Sequence, residues 1–511
     1  MATTELVGSW GWWQVRLAAL LALPMLLSGM YGTNYVFLAA HTPHRCHVPE
    51  CENSSALESA PAPESWRPDW AEFALPDDAC RRRVGSGACR VDAFYNETQE
   101  CDAFVYQHHS SIKAEFDLGC QEWKRTLVGT IHNVGMLVSL PLIGYISDRW
   151  GRRTALVVAG VGAGVWGLLK SLAPAYTFYL AAEFLETVFG ASVYPAGFVL
   201  MIEWLSVDQR ILASLVLGVP LAAGAALLAL LDHLAGYWRL WARIAYPPSF
   251  LLLLYLWLLP ESVRWLLTQE RVDDALHVIK RAARVNRMML SDDSLQKIVV
   301  NENPEKIDSE DESLLSAFKK YGALRRRLAV CGWWWLGGVL VFYGLAVRAH
   351  SLAGSPHANY ALVAAAELPA LVLNTLLLDR VGRRPLLTAA WLLTAASLAT
   401  IPYVPQAATA LFLLGKVGAT MALNGLYVYT AELFPTRARQ RLLACCSAVG
   451  RVGAILAPQV PLLAAYGEWV PTTLLATLPL LSAALARLMP ETLGRTLPDT
   501  FADLAPPPAA V

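Results

Sequence analysis

Apolar positions along this chain gather into long unbroken runs rather than alternating or recurring every third or fourth residue. Runs at roughly 17 to 39, 126 to 147, 154 to 173, 176 to 203, 209 to 231 and 238 to 259 are followed, after a polar interval, by 327 to 348, 358 to 378, 385 to 402, 408 to 432, 440 to 465 and 469 to 489. Each holds about 20 residues, the length at which a helix crosses a hydrocarbon core of ~30 Å. A backbone in lipid must satisfy its own N–H and C=O groups, so each run predicts a membrane-spanning helix. Twelve runs predict an all-α membrane protein. The first has almost no basic residue before Arg16 and is too long for the apolar core of a signal peptide, so it reads as a retained helix.

The polar punctuation repeats. Asp148, Arg149, Gly151, Arg152 and Arg153 spell DRWGRR, and DRVGRR returns from Asp379 through Arg380 and Arg383 to Arg384, an offset of 231. Glu203 closes the fourth run and Glu432 the tenth, an offset of 229. Pro260 and Glu261 in PESVRW are answered by Pro490 and Glu491 in PETLGR, an offset of 230. A constant offset predicts a duplicated six-helix unit. The halves are 17–259 and 327–489, with an N-terminal stretch 1–16, a linker 260–326 and a tail 490–511. Arginines crowd the repeated motifs and Arg437, Arg439 and Arg441, while the loops near Pro174, Gly236, Pro405 and Gly467 carry almost no basic residue. The excess of Lys and Arg on one side puts those motifs, and both ends of the chain, in the cytoplasm.

Two polar insertions change the picture. His41 to Trp123 spans about 83 residues and holds six of the nine cysteines, Cys46, Cys51, Cys80, Cys89, Cys101 and Cys120. On the outer face these would oxidise to three disulfides, with fifteen connectivities open. Asn53 and Asn96 each begin a glycosylation sequon in the same loop. Its fifteen acidic against seven basic residues would draw cations weakly, within a screening length of about 8 Å. The second insertion includes a helix-like stretch from Arg271 to Arg287, with Leu276 and Ile279 on one face, and reads as a solvated linker rather than a regulatory domain.

The composition is 55% hydrophobic and 16% charged with a net charge of zero, which offers no basic tract for nucleic acid. No GxSxG, HExxH or paired CxxC occurs, and Gly415–Lys416 lacks the glycine spacing of a nucleotide loop. No enzyme, metal site or cofactor is expected.

DRWGRR and DRVGRR resemble the loop signature of the major facilitator superfamily. With PESVRWLL, AELFPT, PETLGRTLPDT and the cysteine-rich first loop, they resemble the organic ion transporters of solute carrier family 22 across nearly the whole chain. The GRVG and EFL phrases are similar to those of the organic cation transporter-like branch of insects. The resemblance implies the major facilitator fold in the plasma membrane and alternating access, with a small organic ion as substrate. It also implies that Asp148, Arg149, Arg152, Glu203 and Glu261, with Asp379, Arg380, Arg383, Glu432 and Glu491, form cytoplasmic latches that hold the outward-open state.

Ionisable side chains inside a span cost roughly 2.5 to 3.5 kcal/mol at mid-bilayer, so each asks for a partner or a purpose. Arg451 stands in SAVGRVGAILAP beside small residues. In the resembled family this position tends to be Asp in cation carriers and Arg in anion and carnitine carriers. Glu183, Glu186, Gly190 and Tyr194 share one stripe of the fourth run, where related carriers read ARFL instead of AEFL. These acids either pair with Arg451 or make an amine subsite. Glu367 matches an acidic position of the family, and Leu371 stands where anion carriers often have Lys. Trp335, Phe342 and Tyr343 lie near one face of the seventh run, and the phrase FYGL resembles a substrate-lining segment. Trp333 and Trp334 read as lipid-facing, Tyr31 and Asn34 as polar-path candidates, and His132 as a satisfied hydrogen-bonding histidine rather than a proton relay. Lys416 is expected to pair with Glu367 or another acid.

Together these positions predict a carrier of organic cations or carnitine-like zwitterions, with an organic anion carrier or a non-transporting receptor as alternatives. A coupling ion or proton remains an open partner. Glu186 plus the offset of 230 lands on Lys416, and Arg451 minus it lands on Leu221. The mid-membrane charges are therefore unpaired by the repeat.

Overall fold

The computed structural model describes residues 10–53, 66–205, 209–288, 314–349, 352–435 and 438–494, with positions 498, 501 and 503. Among them eleven helices are long and apolar enough to cross a membrane. They are Trp12–Leu38, Glu122–Trp150, Arg152–Lys170, Tyr176–Ile202, Leu212–Ala235, Gly322–Arg348, Pro356–Val381, Arg383–Tyr403, Pro405–Leu433, Arg441–Tyr466 and Val470–Leu488. The sixth apolar run completes twelve as a bent succession: Trp238–Ala245, a 3-10 segment Pro247–Leu254, and Tyr255–Leu258. Pro247 and Pro248 carry no N–H and cannot continue the α-helical ladder, which breaks this span into pieces.

Close backbone approach fixes the core of each half. A Cβ added at Gly29 would lie 2.0 Å from the Leu221 carbonyl oxygen, and one at Gly224 2.0 Å from that of Leu26, so spans one and five touch main chain to main chain. In the second half, a Cβ at Gly453 would lie 2.3 Å from the Leu336 carbonyl, which brings spans seven and eleven together in the same way.

The long first loop is a small disulfide-bonded module. Strands β1 (His44–Cys46) and β4 (Phe104–Tyr106) pair antiparallel, as do β2 (Arg81–Gly85) and β3 (Phe94–Glu100). The disulfides are Cys46–Cys101, Cys51–Cys89 and Cys80–Cys120. Asn96 is exposed on β3; Asn53 is exposed too, although the rest of its sequon lies outside the described residues. Glu115 ties the module to the first half by accepting from Arg239 Nε at 2.6 Å and from the Trp238 indole. Arg239 also donates to the carbonyls of Ser171 and Ala173 at the end of span three.

On the opposite face the linker is docked where the sequence suggested free solvation. Its helix Val272–Asn286 buries Ala275, Ile279, Ala282 and Ala283, and Asn286 Oδ1 accepts the Trp13 N–H at 2.8 Å. Trp334 also departs from expectation. Its ring is fully buried against Tyr429, and its indole N–H donates to the Ser482 carbonyl at 2.9 Å, because the small Ser482 on span twelve leaves room for it. Trp333, partly buried, reaches the hydroxyl of the same serine.

Candidate functional site

The repeated motifs build two matching turns on the linker face. Gly151 ends span two with φ +100°, and Gly382 ends span eight with φ +102°, a backbone region that L side chains rarely adopt. A carboxylate then caps the next helix. Glu261 accepts from the N–H groups of Arg152 and Arg153 at 2.9 and 3.1 Å, and Glu491 from those of Arg383 and Arg384 at 3.0 Å each. Anionic capping of a helix start is favourable because its first N–H groups lack partners. Arg152 pairs with Asp148 at 2.7 Å and Glu203 at 3.6 Å; Arg383 pairs with Asp379 at 2.9 Å and Glu432 at 3.1 Å. These ion pairs all stay within one half. Arg149 and Arg380 are exposed and make no hydrogen bond or ion pair among the described residues.

The second group lies deep in the first half. Lys170 at the end of span three, His132 on span two and Glu183 and Glu186 on span four are all fully buried. Lys170 Nζ donates to Glu183 at 2.6 Å, to Glu186 at 3.4 Å and to the Tyr246 hydroxyl at 3.0 Å. His132 Nδ1 lies 2.7 Å from Glu183 Oε1 and its Nε2 lies 3.1 Å from the Gly32 carbonyl. Asn34 donates to Tyr246 at 2.8 Å and to Glu186 at 3.3 Å. Tyr31 stacks on Tyr246 with centroids 4.7 Å apart and donates to the Ala245 carbonyl at 3.0 Å. Removing an ion from water costs several kcal/mol, so four such groups persist here only because each meets an opposite charge or a dipole. Glu183 and Glu186 are therefore occupied by Lys170 and His132, not by Arg451.

The second half holds a smaller pair. Lys416, buried on span ten, reaches Glu367 on span eight at 2.9 Å and sits 3.3 Å over the Phe342 ring. Trp335 is buried, donates to Thr430 Oγ1 at 3.1 Å and meets Tyr427 edge to face at 4.5 Å. Tyr343 packs edge to face on Phe342. Tyr427, 46% exposed, lies within electrostatic reach of Arg451, of Tyr343 and, across the halves, of Tyr194. Arg451 is half-buried and makes no hydrogen bond or ion pair among the described residues.

The halves meet toward the face that carries the disulfide module. Asp232 at the end of span five contacts His357 at the start of span eight at 3.0 Å. Phe37 stacks on His357 and meets Tyr360 edge to face, and Thr33 hydrogen-bonds to Tyr360. Gln459 on span eleven bonds to Thr126 at 3.0 Å and Thr130 at 2.6 Å on span two. This seam joins the halves on the module side, while the ion pairs named above on the other side each stay within one half among the described residues.

Among the described residues, two clusters have metal-ligating residue types. His132, Glu183 and Glu186 converge, but the Lys170 ammonium already stands among them and a metal cation would meet like charge. His44, Cys80 and Cys120 also converge, but both sulfurs belong to a disulfide. Neither set fits a metal.

Lys170 and Tyr246 were missed in the sequence reading. Lys170 lies inside the run 154 to 173, and the rule that a lysine within a span needs a partner would have marked it. Tyr246 gave no such signal, since tyrosines are common at span ends.

Two six-helix halves that meet along a seam, each with its own buried charge group, define a membrane carrier of the major facilitator type, a class that works by alternating access. A sugar (and other) transporter family model matches residues 91–501, and the chain belongs to that family. It is 30% identical to human solute carrier family 22 member 13 over 98% of this chain and 92% of that one. It is 28% identical to an organic cation transporter protein of Drosophila melanogaster over 97% of this chain and 93% of that one. The xylose transporter XylE from E. coli, in a partially occluded inward-open conformation, superposes with a TM-score of 0.62 at 15% identity, over 95% of this chain and all of that one, and shows the fold alone. Within the family the chain is a solute carrier family 22 protein, a transporter of organic ions.

Proposed function

We propose that the organic ion carried bears a carboxylate and that Arg451 receives it at the seam. The observation that carries this reading is one of pairing. Glu183 and Glu186 answer to Lys170, Glu367 answers to Lys416, and Arg451 alone of these charges has no partner among the described residues. A guanidinium offers two parallel N–H donors that match a carboxylate. Trp335, Tyr343 and Tyr427 supply rings nearby, and a ring attracts an ammonium by about 0.5 to 2 kcal/mol. A zwitterion uses both features, so carnitine-like zwitterions and organic anions rank ahead of quaternary cations. Tyr31 and Asn34 support the first-half charge cluster rather than contact substrate.

The membrane is the plasma membrane, with the disulfide module outside and both ends of the chain inside. Disulfides need an oxidising compartment, and the arginine-rich turns lie on the opposite face. Uptake of a quaternary cation, a zwitterion and a dicarboxylate by proteoliposomes tests the substrate reading, for wild type, Arg451→Ala and Arg451→Lys. Arg451→Ala is expected to lower uptake of the carboxylate probes by about tenfold or more, the loss of a charge-assisted hydrogen bond worth roughly 1.5 to 3 kcal/mol. Unchanged carboxylate uptake removes Arg451 from the site.

A further inference from the structure

The buried cluster of the first half leaves particular acceptors without a hydrogen. Both ring nitrogens of His132 face acceptors, the Glu183 carboxylate and the Gly32 carbonyl, so both bonds form only when the ring carries two protons. Glu186 Oε1 and Asn34 Oδ1 are buried acceptors without a donor among the described residues, on side chains that already touch through Asn34 Nδ2 and Glu186 Oε2. A carboxylate oxygen buried with no donor is costly, and a proton on Glu186 turns it into a donor for an acceptor such as Asn34 Oδ1. Lys170 cannot fill the gap, because its three N–H bonds already go to Glu183, Glu186 and Tyr246.

The groups facing this proton come from five spans. They are Tyr31 and Asn34 on span one, with Tyr35 beside them, His132 on span two, Lys170 on span three, Tyr179 and Glu183 on span four, and Tyr246 at the sixth. With all four ionisable groups charged, the cluster is neutral yet leaves Glu186 Oε1 bare. With one proton more it carries a single positive charge, and Glu186 Oε1 holds a hydrogen.

We propose that this cluster is an exchangeable proton site centred on Glu186 and His132, and that the carrier couples movement of its organic ion to movement of a proton. Glu186 takes the proton from hydronium, forming an O–H bond and leaving water, and returns it to water when the cluster opens. Tyr35 packs between the cluster and the seam: its ring lies 4.8 Å from that of His132, and it abuts Gly129 where Pro458 of span eleven closes in. A proton bound tightly when the cluster is sealed and loosely when it is hydrated biases the switch between states, which is what coupling requires.

The test needs no substrate for its first arm, and so stands apart from the role given to Arg451. The purified full-length protein in nanodiscs is titrated over about pH 5 to 9, where histidines and buried carboxyls change charge, and the carbonyl stretch of protonated carboxyl groups is followed by infrared difference spectroscopy. A band that persists well above the range of solvated carboxyls, is lost in Glu186→Gln and is kept in Glu367→Gln is expected. Wild type without such a band, or a band indifferent to Glu186→Gln, overturns the proposal. In the second arm, voltage is clamped and a proton gradient of about one pH unit is imposed across proteoliposomes. Wild-type uptake of the zwitterion probe is expected to change by up to about tenfold, and by less than about twofold in Glu186→Gln. A wild-type rate blind to the gradient refutes coupling even if the variant does not fold.

Discussion

The two linker-face turns repeat one motif in both halves, whereas the buried charge groups of the two halves differ. In the turns the copies agree in backbone angle, in capping carboxylate and in ion pairs, with Arg152 N–H to Glu261 at 2.9 Å matched by Arg383 N–H to Glu491 at 3.0 Å. In its buried charge group the first half keeps two acids, a lysine and a histidine, whereas the second keeps one lysine, one acid and an arginine without a partner among the described residues. Position 186 holds an acid and its repeat position, 416, a lysine. On the reading proposed above, the geometry common to both halves serves the motion that both share, and the unshared charges serve the organic ion at Arg451 and the proton at Glu186.

The largest effect expected from breaking this contrast comes at Lys170. Lys170→Met leaves two fully buried carboxylates without their ammonium and should cost about 3 to 5 kcal/mol, seen as loss of folded protein in a thermal melt. Lys416→Met should cost distinctly less, because Glu367 keeps 28% of its side chain exposed. Equal losses in the two variants would contradict the asymmetry.

Next come the turns. Alanine at Gly151 or Gly382 must adopt a positive φ, a strain of about 1 to 3 kcal/mol at each site. Gly151→Ala should be the worse, since its Cβ would stand 2.2 Å from the Glu261 carboxylate against 3.0 Å at the twin position. The melting temperatures of the two variants check the order.

A smaller effect separates the capping carboxylates by pH. Burial raises the Glu261 carboxyl above its ordinary range, against the N–H groups of Ser262, Arg153 and Arg152 that favour its ionisation. At Glu491 burial is outweighed by the N–H groups of Leu493, Thr492, Arg383 and Arg384, and the carboxyl is held low. Folded Glu261 binds its proton more tightly than the unfolded chain does, so its contribution is lost as pH rises through the raised value. Folded Glu491 binds its proton less tightly, so its contribution is lost as pH falls through the lowered one. Across about pH 4 to 6 the cost of Glu261→Gln should therefore shrink with rising pH and that of Glu491→Gln should grow. Melts that move in the same direction for both would break the distinction.

The smallest effect is at the seam. His357→Ala removes a half-exposed contact to Asp232 worth about 1 kcal/mol or less. It should raise thiol labelling of a cysteine placed at Gln459 by no more than a few fold.

The spans and the duplication were legible because runs of about 20 apolar residues and phrases repeated at a fixed offset are local, one-dimensional signals. The sixth span was legible as an apolar run but not as a broken helix, although Pro247 and Pro248 announced it. The six loop cysteines were legible as disulfide partners, whereas their pairing depended on how β1 to β4 fold back. The mid-membrane charges could be found one at a time, but not their partners. Whether Glu183 answers to Lys170 or to Arg451 depends on how spans two, three and four rotate against one another, which no spacing in the sequence fixes. Trp334 shows the same limit, since a tryptophan against lipid and one against span twelve read alike.

The division of labour between shared and unshared residues is tested most directly by the ratio of zwitterion to quaternary-cation uptake, measured side by side for wild type, Asp148→Asn, Asp379→Asn and Arg451→Ala at matched amounts of reconstituted protein. The account predicts that the two turn variants scale both probes together and leave the ratio where wild type has it, while Arg451→Ala collapses it. A ratio that survives Arg451→Ala, or that shifts with Asp148→Asn, would contradict the account.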